Sequence, residues 1–79
     1  MKVHVLFFGA TAAIAGGRKL NLEVVDGTTT DRIFDNIRER FPPLSNHKLH
    51  IAINQQYATG DEIVCDGDEL AIFTAVSGG

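Results

Sequence analysis

The residues with the clearest chemical potential stand at the end of this chain, which closes with Ser77-Gly78-Gly79. Glycine has no side chain, so a Gly-Gly end can enter a narrow channel in a partner protein. The carbonyl carbon of Gly79 is then open to attack, with Gly78 supplying access. The alternative interpretation is an ordinary frayed chain end or a remnant of expression.

The cysteine of the chain shows a weaker indication of a chemical role. The single cysteine, Cys65, cannot form an intramolecular disulfide, which favours a reducing, cytoplasmic setting. Asp66 and Asp68 lie beside it and disfavour its thiolate, so a structural role is expected rather than reactivity.

No metal or cofactor site is predicted. His47 and His50 could share a metal only on a helix, and Pro42-Pro43 argues against a helix there, so solvated histidines are expected. Residues 9–19 lack the G-x-x-x-x-G-K-[ST] order of a phosphate-binding loop.

Length and charge narrow the classes of function. A chain of 79 residues with 44% hydrophobic content forms one domain with one core. The net charge is −3 and the seven basic residues are scattered, which predicts protein partners and no binding to nucleic acid or membrane. Residues 2–17 have some features of a secretory signal peptide, but removing them would delete the most strand-like run.

The elements that position the chain end follow from hydrophobic periodicity. Alternation predicts strands, a 3.6-residue period predicts one amphipathic helix that Thr28 caps, and Pro42-Pro43 ends this helix near Phe41. The predicted elements are strands over 3–8, 20–25, 49–54 and 70–76, a helical turn over 11–15, the capped helix that ends near Phe41, and a short apolar strand over 63–65.

One helix can cover only one face of one mixed sheet, so the economical fold is an α+β sheet that grasps a helix. We expect the domain to span residues 1–76, followed by a flexible tail over 77–79. On the uncovered face, alternation brings together Leu6, Phe8, Ala71 and Phe73. Apolar residues on an open face predict a docking surface for a partner.

The sequence resembles the small subunits of molybdopterin synthase, which are ubiquitin-like sulfur carriers. Residues 66–73 (DGDELAIF) and 76–79 (VSGG) carry the likeness, and residues 5–9 and 52–55 extend it over nearly the whole chain. One departure is Thr74-Ala75, where family members commonly have Pro-Pro.

The resemblance implies a ubiquitin-like β-grasp fold with a mixed sheet of four to five strands covering one main helix. It also implies that an adenylating, E1-like enzyme activates the Gly79 carboxylate with ATP, and that a persulfide donor converts it to a thiocarboxylate. This group would give sulfur to the pterin precursor inside the large synthase subunit. Val76 and Ser77 would join the partner-binding surface, and the chain itself would be a non-catalytic subunit that binds no cofactor.

Three alternatives remain open at this stage. The carrier could serve thiamine, cysteine or tRNA thiolation. The chain could instead be a protein modifier that forms an isopeptide bond through Gly79, as ubiquitin does. A β-grasp domain with only a binding role would tolerate loss of Gly79.

Overall fold

The computed structural model describes residues 1–74, and the final five residues lie outside this part of the chain. It contains five strands, two α-helices and one 3-10 helix. They are β1 (Lys2–Phe7), α1 (Ala10–Ala15), β2 (Lys19–Glu23), α2 (Thr30–Arg40), the 3-10 helix (Pro42–Asn46), β3 (Leu49–Ile53), β4 (Gln56–Tyr57) and β5 (Glu69–Thr74).

The strands form one mixed sheet in the order β2-β1-β5-β3-β4. β1 and β5 run parallel in the centre, and each remaining pair is antiparallel. α2 is the main helix and packs on one face of the sheet. The predicted α+β fold, a ubiquitin-like β-grasp with a sheet of four to five strands, is confirmed.

The core lies between this face and α2, and strand alternation decides its membership. Val3, Val5 and Phe7 of β1 are buried, as are Ile33 and Ile37 on the inner stripe of α2. Burial of such side chains contributes about 1.5–3 kcal/mol each. The edge of the Phe7 ring also meets Phe41, with ring centroids 5.8 Å apart, which fixes the end of α2 against the end of β1.

The cap of α2 differs from the prediction by one residue. Thr29, not Thr28, has the extended backbone of an N-cap, and its hydroxyl accepts a hydrogen bond from the Arg32 N–H at 3.3 Å. Thr28 belongs instead to the preceding turn, which passes through Gly27 (φ 87°). The Thr28 hydroxyl donates a hydrogen bond to the Val25 carbonyl at 2.7 Å. The turn therefore runs one residue further than the Asp-Gly signal indicates.

The predicted short strand over 63–65 is wrong. Ile63 forms only an isolated bridge with Thr29, and the short strand is instead β4. Asn54 and Gln55 form a two-residue hairpin turn with positive φ at both positions, 47° and 72°, so the chain reverses at once after β3.

Strand boundaries otherwise shift by one or two residues. β2 ends at Glu23 rather than residue 25, β3 ends at Ile53, and β5 begins at Glu69. The expected end of the last strand at Val76 and the domain boundary there lie outside the described residues. Among residues 1–74 no helix is long and apolar enough to cross a membrane.

Candidate docking face and chain end

The uncovered face of the sheet carries a row of side chains that crosses all five strands. Strand pairing aligns the row, because each member is the register partner of the next. In order from β2 to β4 the row is Lys19, Leu6, Ala71, Ala52 and Tyr57. The predicted neighbours Leu6 and Ala71 are thus directly paired, although their role in binding stays a prediction.

A second row lies closer to the end of β5 and contains an aromatic cluster. Phe73 is paired with His50, and their rings stack with centroids 5.7 Å apart and 30° between planes. Tyr57 completes the cluster at 5.9 Å from Phe73 and 6.0 Å from His50. Its side chain is 73% exposed, so the cluster offers a large aromatic surface to solvent.

His50 and Tyr57 were not predicted to belong to this face. His47 is exposed, as expected for a solvated histidine, whereas His50 is only partly accessible because it stacks on Phe73. The alternation of β3 puts His50 and Leu49 on opposite faces of the sheet. The aromatic partner of His50, Phe73, follows only from the β3–β5 register. Tyr57 reaches this face because the Asn54-Gln55 hairpin turn brings β4 back along β3, and the sequence pattern did not predict this turn.

Phe8 lies just beyond β1 and is 51% exposed. Its N–H donates to the Ile72 carbonyl at 3.0 Å, so strand pairing continues to this residue and keeps it in parity with Leu6. Together with Leu6 and Arg18 it borders an open cleft of about 540 Å³ beside α1. The apolar part of the open face therefore concentrates at the end toward which β5 runs.

The last described strand, β5, ends at this same end of the sheet. β5 lies between β1 and β3, and Thr74, its last residue, pairs with Leu49. Val76, Ser77, Gly78 and Gly79 lie outside the described residues, so their predicted roles stay predictions. Covalent geometry nevertheless makes residue 75 begin within about 3.8 Å of Thr74.

Thr11 of α1 holds this end together. Its hydroxyl is fully buried and lies 2.6 Å from the Phe8 carbonyl and 3.0 Å from the Ile72 carbonyl. The single hydroxyl proton thus serves acceptors at the ends of both central strands. The platform from which the chain end departs is fixed by a side chain with no exposure to water.

The opposite end of the sheet is organised by the Asp66-Gly67-Asp68 turn. The Asp68 carboxylate accepts from the Cys65 N–H at 2.7 Å and from the Asn54 amide at 3.1 Å. The Gly67 N–H donates to the Lys2 carbonyl at 2.8 Å from a positive φ of 85°. This turn therefore ties the start of β5 to β1 and to the β3–β4 hairpin.

A second carboxylate, Glu62, organises the loop in front of α2. Its side chain accepts from the Thr59 N–H at 2.7 Å, the Thr30 hydroxyl at 2.9 Å and the Gly60 N–H at 3.0 Å. Hydrogen bonds from Thr59 first, then from its own N–H, Thr30 and Gly60, lower the pKa of Glu62 to about 2 against an opposing effect of burial. This carboxylate is structural.

The remaining candidates contribute no site of their own. Cys65 is exposed and unpaired. Within residues 1–74 no group of three or more His, Cys, Asp or Glu side chains could hold a metal ion. Within residues 1–74 the candidate site is thus an open apolar face at the end of the sheet where β5 ends.

Comparison with known proteins agrees with this geometry. The ThiS family matches residues 5–79. The molybdopterin synthase sulfur carrier subunit of Mycobacterium tuberculosis is 34% identical over 82 residues, which cover 100% of this chain and 99% of the relative.

Solved structures show the same fold. SAMP1 of Haloferax volcanii, a small archaeal modifier protein, superposes with a TM-score of 0.86 at 27% identity over the full length of both chains. A chain of the Helicobacter pylori molybdopterin-converting factor, solved as a complex of subunits 1 and 2, gives a TM-score of 0.70 at 22% identity, covering all of both chains.

The fold is that of the ubiquitin-like β-grasp class. The chain belongs to the ThiS family, and its relatives are the small, sulfur-carrying subunits of molybdopterin synthase.

Proposed function

We propose that this chain carries sulfur on the carboxylate of Gly79 for the synthesis of molybdopterin. The observation that carries the proposal is the full-length match to sulfur carrier subunits, which extends to residue 79. The described part of the structure supports it, because β5 ends at Thr74 on the same end of the sheet as the exposed apolar residue Phe8.

In this proposal the carrier supplies one reactive group and a partner supplies the chemistry. An adenylating enzyme joins the Gly79 carboxylate to AMP from ATP and releases pyrophosphate. The terminal sulfur of a persulfide displaces AMP and forms an acyl disulfide. A thiol then reduces this linkage, which leaves a thiocarboxylate on Gly79 and one new disulfide.

Delivery takes place in a complex with the large synthase subunit. The thiocarboxylate sulfur attacks a carbon of the pterin precursor and displaces an oxygen leaving group from that carbon. Water then cleaves the bond between the Gly79 carbonyl carbon and sulfur. Sulfur stays on the precursor and the carrier returns as a carboxylate. Phe73, Leu6, Phe8 and Ala71 dock the carrier, while Val76 and Ser77 lead the chain end into the partner.

The test is direct sulfur loading. The chain is incubated with its cognate adenylating enzyme, ATP and a persulfide donor, and intact mass spectrometry detects replacement of one oxygen by sulfur. A sulfur gain by the wild type supports the proposal, and a wild type that stays a carboxylate contradicts it.

A second candidate function is protein modification through an isopeptide bond from Gly79. Its support is the full-length similarity to SAMP1, at 27% identity and a TM-score of 0.86. The product distinguishes the two functions, because a modifier accumulates as covalent ladders on target lysines and a carrier accumulates as a thiocarboxylate.

A further inference from the structure

The charged residues of the sheet are separated along the strands. Lys19 begins β2 and Lys48 immediately precedes β3, so both lie at the end where Thr74 closes β5. Glu23 closes β2 and Glu69 begins β5, so both lie at the opposite end. One end of the sheet is basic and the other is acidic.

The neighbouring loops extend the same separation. Arg18 adjoins Lys19 at the basic end, where its carbonyl accepts from the Phe7 N–H at 2.8 Å. Asp66 and Asp68 adjoin Glu69 at the acidic end, where the Asp66 carboxylate accepts from the Lys2 N–H at 2.7 Å. The polarity therefore extends from the strands into the adjoining loops, and the cations at the acidic end, Lys2 and the Met1 ammonium, both lie within 4.0 Å of the Glu23 carboxylate.

The basic side chains at the chain-leaving end are available to a partner. Arg18, Lys19 and Lys48 are exposed, and none of them has a carboxylate within 4.0 Å among residues 1–74. Lys2, at the acidic end, differs because its ammonium group lies 3.9 Å from the Glu23 carboxylate.

The dimensions of the sheet make this polarity able to set an orientation. β5 lies one strand from β3 and two from β2, so the last described residue of β5 lies about 5 Å from the line of β3 and about 10 Å from that of β2. The four residue intervals of β2 separate Lys19 from Glu23 by about 13 Å, which exceeds a Debye length of about 8 Å at physiological salt. A charged partner surface near one end of the sheet therefore interacts only weakly with the charges at the other end.

The net charge of −3 is not evenly distributed, because the end of the sheet where β5 ends is locally basic. A uniformly basic partner would attract the acidic end first. An acidic region where the channel opens would instead attract the basic end and bring Gly79 toward the channel.

We propose that the basic end of the carrier, formed by Arg18, Lys19 and Lys48, docks on an acidic rim around the channel mouth of the large synthase subunit. The acidic end, marked by Glu69, faces a basic region of the same subunit. This inference rests on the proposed function, and it adds the charge pattern that orients the two proteins so that the chain end enters the channel.

Two double variants that change the net charge by the same amount test whether the position of the charges matters. Lys19→Glu with Lys48→Glu reverses the basic end. Lys2→Glu with Arg32→Glu makes the same change in net charge at the acidic end and in the first turn of α2, where an acidic side chain is favourable. Circular dichroism melts of both variants check that each one is folded before its binding is compared.

Stopped-flow fluorescence measures association with the cognate large subunit at low and at high salt. We expect Lys19→Glu/Lys48→Glu to lower the association rate constant at least about tenfold at low salt, with the difference vanishing at high salt. Lys2→Glu/Arg32→Glu should match or exceed the wild type. Equal rates for the two double variants, whether lowered or unchanged, overturn the inference alone. A wild-type chain that does not associate with the large subunit overturns the proposed function as well.

Discussion

Phe73 of β5 stacks on His50 of β3 across the open face of the sheet, with ring centroids 5.7 Å apart. The pair lies one residue before the last described residue, Thr74. The described part of β5 thus ends beside an aromatic cluster on the open face, and we propose this cluster as the anchor for the partner that receives Gly79.

Loss of this anchor should weaken docking without unfolding the domain. Phe73→Ala is expected to raise the Kd for the large subunit about 30-fold, which corresponds to about 2 kcal/mol for a central aromatic residue. Isothermal titration calorimetry checks the affinity. Val25→Ala is the control, because Val25 is exposed but lies beyond β2 near the opposite end. Equal affinities for wild type and Phe73→Ala in a folded protein contradict the docking role.

The Thr11 hydroxyl should be important for stability. Thr11→Val keeps the shape of the side chain but leaves the Phe8 and Ile72 carbonyls without this donor, at an expected cost of about 1–3 kcal/mol. Urea unfolding measures the change. Thr28→Val is a matched control, since its hydroxyl also donates to a carbonyl three residues earlier but in an exposed position, and it should cost less than about 0.5 kcal/mol. Equal losses would show that burial does not matter here.

The lowered pKa of Glu62 predicts a specific pH dependence of stability. The ordinary value is 4.5 and the folded value is about 2, so ionised Glu62 stabilises the fold fully above pH 4.5 and this contribution is lost as pH falls toward 2. Glu62→Gln should therefore be less stable than wild type above pH 4.5, and the difference should shrink on acidification. Thermal melts across this range test it, with Glu39→Gln on the exposed face of α2 as control. A difference that stays constant with pH contradicts the assignment.

Much of the fold was predictable because it rests on local periodicity. Val3, Val5 and Phe7 alternate with polar or half-buried neighbours, and Ile33 and Ile37 recur at helical spacing, so β1, α2 and the core faces were correct. These patterns also predicted that Leu6 and Ala71 share a face.

The missed features depend on contacts or on unusual backbone conformations. The Asn54-Gln55 turn has no glycine, although both residues adopt positive φ, so its sequence gives no strong hairpin signal. In the wrongly predicted strand over 63–65 only Val64 is buried, and Ile63 is 63% exposed. The stacking of His50 follows from register, which no local pattern specifies.

The central claim concerns Gly79, and the most direct measurement is sulfur loading of three chains by the cognate adenylating enzyme with ATP and a persulfide donor. The wild type should gain one sulfur in place of one oxygen. Deletion of Gly79 withdraws the carboxylate by about 3.5 Å, and a misplacement of 1 Å can cost roughly a hundredfold in rate. Addition of one alanine after Gly79 moves the carboxylate by a similar distance in the other direction. We therefore predict that intact mass spectrometry detects the thiocarboxylate on the wild type alone, and equal loading of the shortened or extended chain would contradict the account.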